Sequence, residues 1–369
     1  MRIIKAGLIG CGNISSIYFE NVHRFKHLTI VACADLHLER ARAQAEKYRI
    51  PKACTVAELL EDPEIELVIN LTIPQVHAKV CIQALEAGKH VYTEKPLTIT
   101  LEEGQKLLKK AKETGLLVGC APDTFLGAGI QTSIQVIERG EIGTPVGASA
   151  FMISRGHEHW HPDPAFYYDV GGGPMYDMGP YYLTALTALL GPMVRVSGSA
   201  RITYPERTIL SEPKKGTKIK VSTPTHISGV IDFANGAIAS ITTSFDAFGG
   251  SVLPPIEVYG SEGTLLVPDP NTFNGPVQLR KRDEREFVEV PLTYHYTENS
   301  RGIGVADMAM SLLTGSDYRA SGTMGFHVLE AMHGFHMSST SGHHYQMKST
   351  CRKPEPLPVD FRFPYAETT

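Results

Sequence analysis

Gly10-Cys11-Gly12-Asn13-Ile14-Ser15 follows the apolar run Ile3–Ile9 and opens a helix-like stretch. Such a strand–turn–helix junction is where a dinucleotide pyrophosphate meets the positive end of a helix. Gly10 allows the tight turn, and Gly12 lets the backbone approach the phosphates. Ser15 stands where the usual fingerprint has its third glycine, and it is small enough for close helix–strand packing. Gly10, Gly12, Asn13 and Ile14 are the expected cofactor contacts here. Asp35 ends the next apolar run, at about the distance expected for the acid that binds the adenine-ribose hydroxyls. A carboxylate there repels a 2′-phosphate, and Leu36 and His37 follow rather than an arginine, so NAD is favoured over NADP. The competing readings are a tight turn without cofactor and, for Asp35, an N-cap for the helix from Leu38.

Outward from this turn, strand and helix signals alternate over the first ~120 residues. Strands are expected at Ile3–Ile9, Thr29–Ala34, Leu67–Ile73, His90–Thr93 and Leu117–Cys120, and helices at Glu39–Tyr48, Val56–Leu60, Gln75–Ala87 and Leu101–Thr114. Gly88 and Gly115 read as helix C-caps. This is the rhythm of a parallel, doubly wound α/β sheet. After a helix at Ala128–Arg139 the pattern changes. A strand at Val146–Ser154, a polar loop and a helix at Tyr181–Leu190 lead into successive strands: Val194–Ile202, Thr225–Phe233, Ala237–Ser244, Ile256–Gly260, Gly263–Val267, Val277–Lys281 and Glu286–Pro291. The turns Ala234-Asn235-Gly236 and Ser261-Glu262-Gly263 mark an antiparallel sheet. Helices return at Ile303–Leu313 and Met324–Thr340, and the proline-rich Lys353–Pro358 should run extended. The expectation is an N-terminal Rossmann domain over 1–123 and, over 124–369, an α+β domain with a large, open, mostly antiparallel sheet.

Composition narrows the function class. The chain has 369 residues, 42% hydrophobic and 20% charged, with a net charge of −4. That balance gives no reason to expect a nucleic-acid or membrane partner. No apolar run approaches the ~20 residues of a membrane span, and no signal peptide is expected before the first strand. Six cysteines without a Cys-x-x-Cys pair suggest free thiols in a cytoplasmic protein.

Two further stretches carry chemistry. His90-Val91-Tyr92-Thr93-Glu94-Lys95-Pro96-Leu97 ends a strand, and a residue before proline is held extended, which fixes where Lys95 points. A lysine so held suggests an acid/base; paired with Glu94 on the surface it would be inert. Gly171-Gly172-Gly173-Pro174-Met175-Tyr176-Asp177-Met178-Gly179-Pro180-Tyr181-Tyr182 places an aspartate four residues before a tyrosine, which suggests the other half of a proton-handling site. Half-buried aromatics on an amphipathic helix are the alternative for Tyr181-Tyr182.

In this order and spacing the three stretches resemble the Gfo/Idh/MocA oxidoreductase family, which moves hydride between a nicotinamide cofactor and sugars, polyols or their derivatives. The resemblance spans nearly the whole chain. It implies that Thr72, Pro74, His77 and Glu94 line the nicotinamide side, that Lys95 exchanges a proton with the substrate hydroxyl across a Lys-Pro bond that is often cis, and that Asp177 acts beside it. The family's pattern is Asp-x-Gly-x-His, and here the fifth position is Tyr181. Tyrosine titrates near ~10 and histidine near neutrality, so this departure leaves open whether Tyr181 or a histidine of the 157–161 loop is the base. Lys95, Asp177 and Tyr181 are the expected catalytic set. The open second-domain sheet of the family implies a homo-oligomer.

The loop from Arg155 to Tyr168 contains the only tryptophan. His159, Trp160, His161 and Tyr167, with Asp123 at the end of the last Rossmann strand, are the expected substrate contacts, because aromatic faces stack on sugar C–H groups and His and Asp bond hydroxyls. His157, His159 and His161 alternate, which in an extended strand would put three imidazoles on one face and offer a metal site; Pro162 and the lack of a second ligand cluster weaken that reading, and no metal is expected. Asp123 is equally placed to cap a helix. His327, His333 and His336 share one expected helix and read as packing residues. The leading function is NAD-linked oxidation of a secondary hydroxyl of a sugar, sugar derivative or glycoside, with C3 of a glycoside preferred. A redox-neutral glycosidase or lyase that retains NAD, and a non-catalytic NAD- or sugar-sensing regulator, are the alternatives.

Overall fold

Short, fully apolar strands set the first part of the computed structural model, which describes residues 2–359 and 362. In chain order these elements are β1 (Ile4–Ile9), α1 (Ser15–Val22), β2 (Leu28–Ala34), α2 (Leu38–Tyr48), β3 (Lys52–Cys54), α3 (Val56–Glu61), β4 (Leu67–Asn70), α4 (His77–Glu86), β5 (His90–Thr93), α5 (Leu101–Thr114) and β6 (Val118–Cys120). Then come α6 (Ala128–Glu138), β7 (Pro145–Ile153), α7 (Gly173–Asp177), α8 (Gly179–Leu190), β8 (Met193–Arg201), β9 (Glu206–Thr208), β10 (Lys218–Lys220), β11 (His226–Phe233), β12 (Ile238–Ser244), β13 (Ile256–Gly260), β14 (Gly263–Val267), β15 (Val277–Lys281) and β16 (Val288–Val290). The chain continues through α9 (Ile303–Thr314), α10 (Gly322–Ser341) and β17 (Tyr345–Gln346).

Two compact units form. The first takes the chain up to Ala128, Thr293–Phe326 and the stretch from Pro354; the second takes Gly129–Leu292 and His327–Lys353. In the first unit six strands pair in the order β3-β2-β1-β4-β5-β6, all parallel. This is the Rossmann order, whose switch point lies between β1 and β4. Leu8, Val68, Ile69, Val91 and Tyr92 are buried, as expected of a sheet covered by helices on both faces. Thr55 and Thr100 cap α3 and α5 through reciprocal capping boxes. The segment around α9 completes the same unit: the Cys120 N–H donates to the Ala320 carbonyl at 2.9 Å, which covers the β6 edge.

The second unit holds a nine-stranded sheet in the order β16-β15-β14-β13-β7-β12-β11-β8-β17. Every pair in it is antiparallel except β7 with β12. The α+β expectation therefore holds, with a mixed, mostly antiparallel sheet. Ile227, Ile231, Ile241, Val258 and Leu265 form the buried side, and α8 is buried along its length. A separate two-stranded ribbon, β9 with β10, was not expected from the sequence. Among the described residues no helix is long and apolar enough to cross a membrane, and all six cysteines are buried free thiols.

Candidate active site

In the first unit the turn after β1 has the geometry that a pyrophosphate needs. Gly10 sits at φ +102°, and a Cβ there would lie 2.6 Å from the Leu71 carbonyl carbon, so no other residue fits. A Cβ on Gly12 would meet nothing within 4 Å, which leaves its backbone open. The Ser15 hydroxyl is buried and donates to the Gly12 carbonyl at 2.6 Å, closing the turn. The α1 N-terminus carries no side-chain cap, and Asn13 and Ile14 beside it are exposed. Asp35 Oδ2 accepts the Cys11 N–H at 2.8 Å, and Oδ1 accepts the His37 N–H at 2.9 Å. The α2 N-cap is His37, so Asp35 braces the glycine turn rather than capping that helix. A groove of about 830 Å³ runs past Gly10, Gly12, Asp35, Arg40, Thr72 and Ile73. A dinucleotide fits these residues: an open Gly12, an uncapped helix start and a carboxylate at the ribose distance.

The end of β4 is locked from within. Asn70 Oδ1 accepts from the Thr72 hydroxyl at 2.6 Å, and its Nδ2 donates to Thr93 Oγ1 at 3.2 Å. Pro74 starts a 3₁₀ turn, Pro74–Val76, that leads into α4. His77 was expected to contact the cofactor. It is fully buried instead, with Nδ1 2.7 Å from the Pro96 carbonyl and Nε2 2.9 Å from the Thr72 carbonyl. The ring thus lies between the Thr72 turn and the Lys95-Pro96 segment and, in its neutral form, donates to one of the two carbonyls, so His77 is a brace between two loops. Burial lowers its pKa below the usual histidine value, against the pull of the two carbonyls. The Lys95–Pro96 peptide is cis. Glu94 Oε1 accepts from the Tyr18 hydroxyl at 2.8 Å, and Oε2 accepts the Lys95 N–H at 3.0 Å, so Glu94 fixes its neighbour's backbone.

Asp123, expected at the substrate, is 1% exposed. Its Oδ2 accepts the N–H groups of Gly302 and Gly304 at 2.8 and 3.0 Å, at the start of α9. Burial raises its pKa to about 6. The physical reason for the correction is that the carboxylate satisfies the orphan N–H groups of a helix end, which would otherwise be buried unpaired.

In the second unit the loop after β7 folds as a turn. The His161 N–H donates to the His157 carbonyl at 3.0 Å. His157, His159 and His161 therefore do not lie on one face of an extended strand, and no cluster of three metal-binding side chains occurs among the described residues. His157 turns inward: its Nε2 is 3.0 Å from Asp177 Oδ2, with the two side chains 13% and 16% exposed. Its ring packs against Tyr167 at 4.0 Å, Phe245 at 4.7 Å and Trp160 at 5.4 Å. His161 packs edge-on against Trp160 and Phe166, and its Nδ1 accepts the Asp163 N–H. Trp160 and Phe166 remain 55% and 56% exposed, an unusual outlay of aromatic surface for a soluble loop. His159 is set apart from this cluster; its Nδ1 is buried without a bond, and burial lowers its pKa.

A buried ion network holds the loop in place. Arg207 joins Glu158 and Asp246, all three side chains being at most 6% exposed. The Tyr168 hydroxyl donates to Glu158 and accepts the His157 N–H at 3.0 Å. The glycine run then packs tightly beneath: a Cβ on Gly172 would be 2.7 Å from the Phe166 and Tyr167 carbonyl oxygens, and Gly173 has φ +85°. That close approach brings Asp177, at the end of α7, to His157. Tyr181 lies on the first turn of α8, 9% exposed. The sequence offered His157 only as one of three alternating loop histidines, and its pairing with Asp177 was not expected. His327 is structural, accepting the Met193 N–H at 2.9 Å, and Tyr176 stacks on His336 at 5.0 Å and meets His333 Nδ1 at 3.2 Å.

Residues 4–121 match the family described as "Oxidoreductase family, NAD-binding Rossmann fold", and residues 130–266 match the "GFO/IDH/MocA C-terminal domain". The chain is 26% identical over 264 residues to myo-inositol 2-dehydrogenase of Thermotoga maritima, covering 71% of this chain and 75% of that one. It is 28% identical over 272 residues to 1,5-anhydro-D-fructose reductase of Ensifer adhaerens, covering 70% and 74%. Its fold matches levoglucosan dehydrogenase solved with NADH and L-sorbose, with a TM-score of 0.80 at 21% identity over 95% of this chain and 100% of the other. With both halves matched in order, the chain belongs to the Gfo/Idh/MocA oxidoreductase family, with an NAD-binding Rossmann domain followed by the family's C-terminal domain.

Proposed function

We propose that this protein oxidises a secondary hydroxyl of a sugar, sugar derivative or glycoside, C3 of a glycoside being the preferred position. The observation that carries the reading is Asp177, held 3.0 Å from an imidazole beneath a loop with exposed aromatic rings. Carboxylate and imidazole handle hydroxyl protons, and aromatic faces stack on the C–H faces of sugar rings. Relatives named for myo-inositol and 1,5-anhydro-D-fructose support a sugar or polyol substrate. NAD supplies the hydride acceptor at nicotinamide C4. Asp35 would bond the ribose hydroxyls, Gly10 and Gly12 would admit the pyrophosphate, and Thr72, Pro74 and Glu94 would border the nicotinamide. Lys95 and Tyr181, oriented by Asp177, would form the set that handles the hydroxyl proton, and Trp160, His161 and Tyr167 would bind the ring. Tyr181 in place of histidine would put the chain in a subgroup of the family with tyrosine at that position, and a homo-oligomer would form through the large sheet of the second unit.

The test is a screen of sugars, polyols and glycosides with NAD, read as NADH absorbance. Saturable NADH formation with a ring sugar or glycoside supports the reading. Turnover of a glycoside without net NADH would move the function to a redox-neutral reaction, and no turnover of any member would remove it.

A further inference from the structure

We infer that His157 is a catalytic base of this enzyme, anchored by Asp177 and accepting the substrate's hydroxyl proton at Nδ1. The inference rests on the dehydrogenase reading above. Its first support is tautomeric. Asp177 Oδ2 can only accept from Nε2, which therefore carries the proton in the neutral ring and leaves Nδ1 as the acceptor. Its second support is access. The imidazole keeps 13% of its surface exposed, and among the described residues no protein group bonds Nδ1. Its third support is rigidity. Tyr167, Phe245 and Trp160 enclose the ring, and the Tyr168 hydroxyl fixes the His157 backbone N–H. An anchored carboxylate, an oriented imidazole and an open second nitrogen form the carboxylate–imidazole pair that general-base catalysis uses.

The step balances as follows. The hydroxyl proton passes to His157 Nδ1. The carbinol hydrogen leaves with the C–H electron pair to the oxidised nicotinamide, and the carbon–oxygen bond becomes double. The imidazolium so formed is stabilised by the Asp177 carboxylate and then releases its proton to water. The titratable groups around the ring are Asp177 from α7 and, on the loop itself, Glu158, His159, Tyr167 and Tyr168; Phe245, which follows β12, packs on the ring as an apolar neighbour.

Two measurements decide it. In the first, ¹⁵N NMR of histidine-labelled, NAD-bound protein reports the tautomer of His157. The Nε2–H form at high pH, converting to a mixture in Asp177→Asn, supports the assignment; a neutral ring protonated at Nδ1 overturns it. In the second, with the sugar or glycoside that reduces NAD fastest, His157→Gln should lose 10²–10⁴-fold in kcat. It should also change the shape of the pH–rate profile and leave NAD affinity within about twofold. Imidazole added to His157→Ala should restore part of the rate. Retention of more than a third of wild-type kcat with an unchanged pH profile overturns the proposal. If no compound in the screen reduces NAD, the dehydrogenase reading falls, and the NMR tautomer still decides whether the pair exists as described.

Discussion

The carboxylate of Asp35 accepts the backbone N–H of Cys11 at 2.8 Å, joining the end of β2 to the glycine turn after β1. One side chain therefore shapes the pyrophosphate turn and faces the groove where the adenine ribose would lie. Arg40 lines the same groove, so a cation is at hand for a 2′-phosphate, and discrimination against it rests on Asp35.

The first expectation is that NAD binds at least tenfold more tightly than NADP, measured by fluorescence titration. Asp35→Ser removes the repulsion and the brace together. It should weaken NAD by more than tenfold, since hydrogen bonds to a charged acceptor contribute about 1.5–3 kcal/mol each, and should narrow the NAD/NADP ratio without producing tight NADP binding. Wild-type protein that binds NADP as tightly as NAD would show that Asp35 is not at the ribose.

The ion network under the aromatic loop gives the second. Arg207→Met leaves Glu158 and Asp246 buried without their cation, a defect that costs about 3–5 kcal/mol. Tm should fall by roughly 5–15 °C for a chain of this size, and turnover should fall with it, because Glu158 also holds Tyr168 and through it His157. Adding Glu158→Gln and Asp246→Asn should recover much of the stability, since no buried charge is then left unpaired. A single variant melting within 2 °C of wild type would mean that the network does not hold the loop.

Buried histidines give the third. Burial lowers the pKa of His23, His27, His77, His90, His327 and His336, the last to about 4. A folded-state value below the unfolded 6.5 means that the unfolded chain binds protons first as pH falls. Their contribution is present above pH ~6.5 and is lost as pH drops through the folded values. Asp123 and Asp307, raised by burial, act in the opposite sense, gaining stability as pH falls through their folded values. The histidines with lowered values outnumber the two aspartates with raised ones, so Tm should decline steadily from pH 6.5 to 4.5. His336→Gln should make the decline shallower. A Tm that is flat or rising over that range contradicts this balance.

The Rossmann half was legible because its signals are local. β5 and α5 fall at His90–Thr93 and Leu101–Thr114, as the apolar run and the Thr100 cap indicate, and β13 and β14 are bounded by their turn. What was not legible depended on distance in sequence or on absent periodicity. β9 and β10 are three residues each, with exposed charged residues and no apolar alternation. The glycine run was given no helix of its own, yet Pro174 sits at the start of α7, where a missing N–H is tolerated. Asp123 stood at a sheet edge where ligands bind, and its partners lie 179 residues on. The His157–Asp177 pair spans 20 residues through an irregular loop. Tyr181 in the histidine's place pointed to the loop's imidazoles as candidate bases, but nothing local in the sequence tells which of them meets Asp177.

Tyr181 supplies the last prediction. Its ring lies on the first turn of α8 at 9% exposure, so its area is packed whether or not its hydroxyl takes part. Tyr181→Phe keeps the ring and removes the one group able to bond a substrate hydroxyl. Tm should stay within about 2 °C, because surface loss is small and volume is conserved. If the hydroxyl orients the substrate or relays its proton, kcat/KM falls at least tenfold, about 1.4 kcal/mol of transition-state stabilisation. Lys95→Ala should cost more, ~10²–10⁴ in rate, with NAD affinity within a few fold. The ordering separates the roles: an acid/base loss lowers kcat across substrates, whereas loss of an orienting hydroxyl is felt most in poorly bound ones. A phenylalanine variant equal to wild type in kcat and KM would reduce Tyr181 to packing. Proton handling would then rest with Lys95 and the Asp177-anchored imidazole.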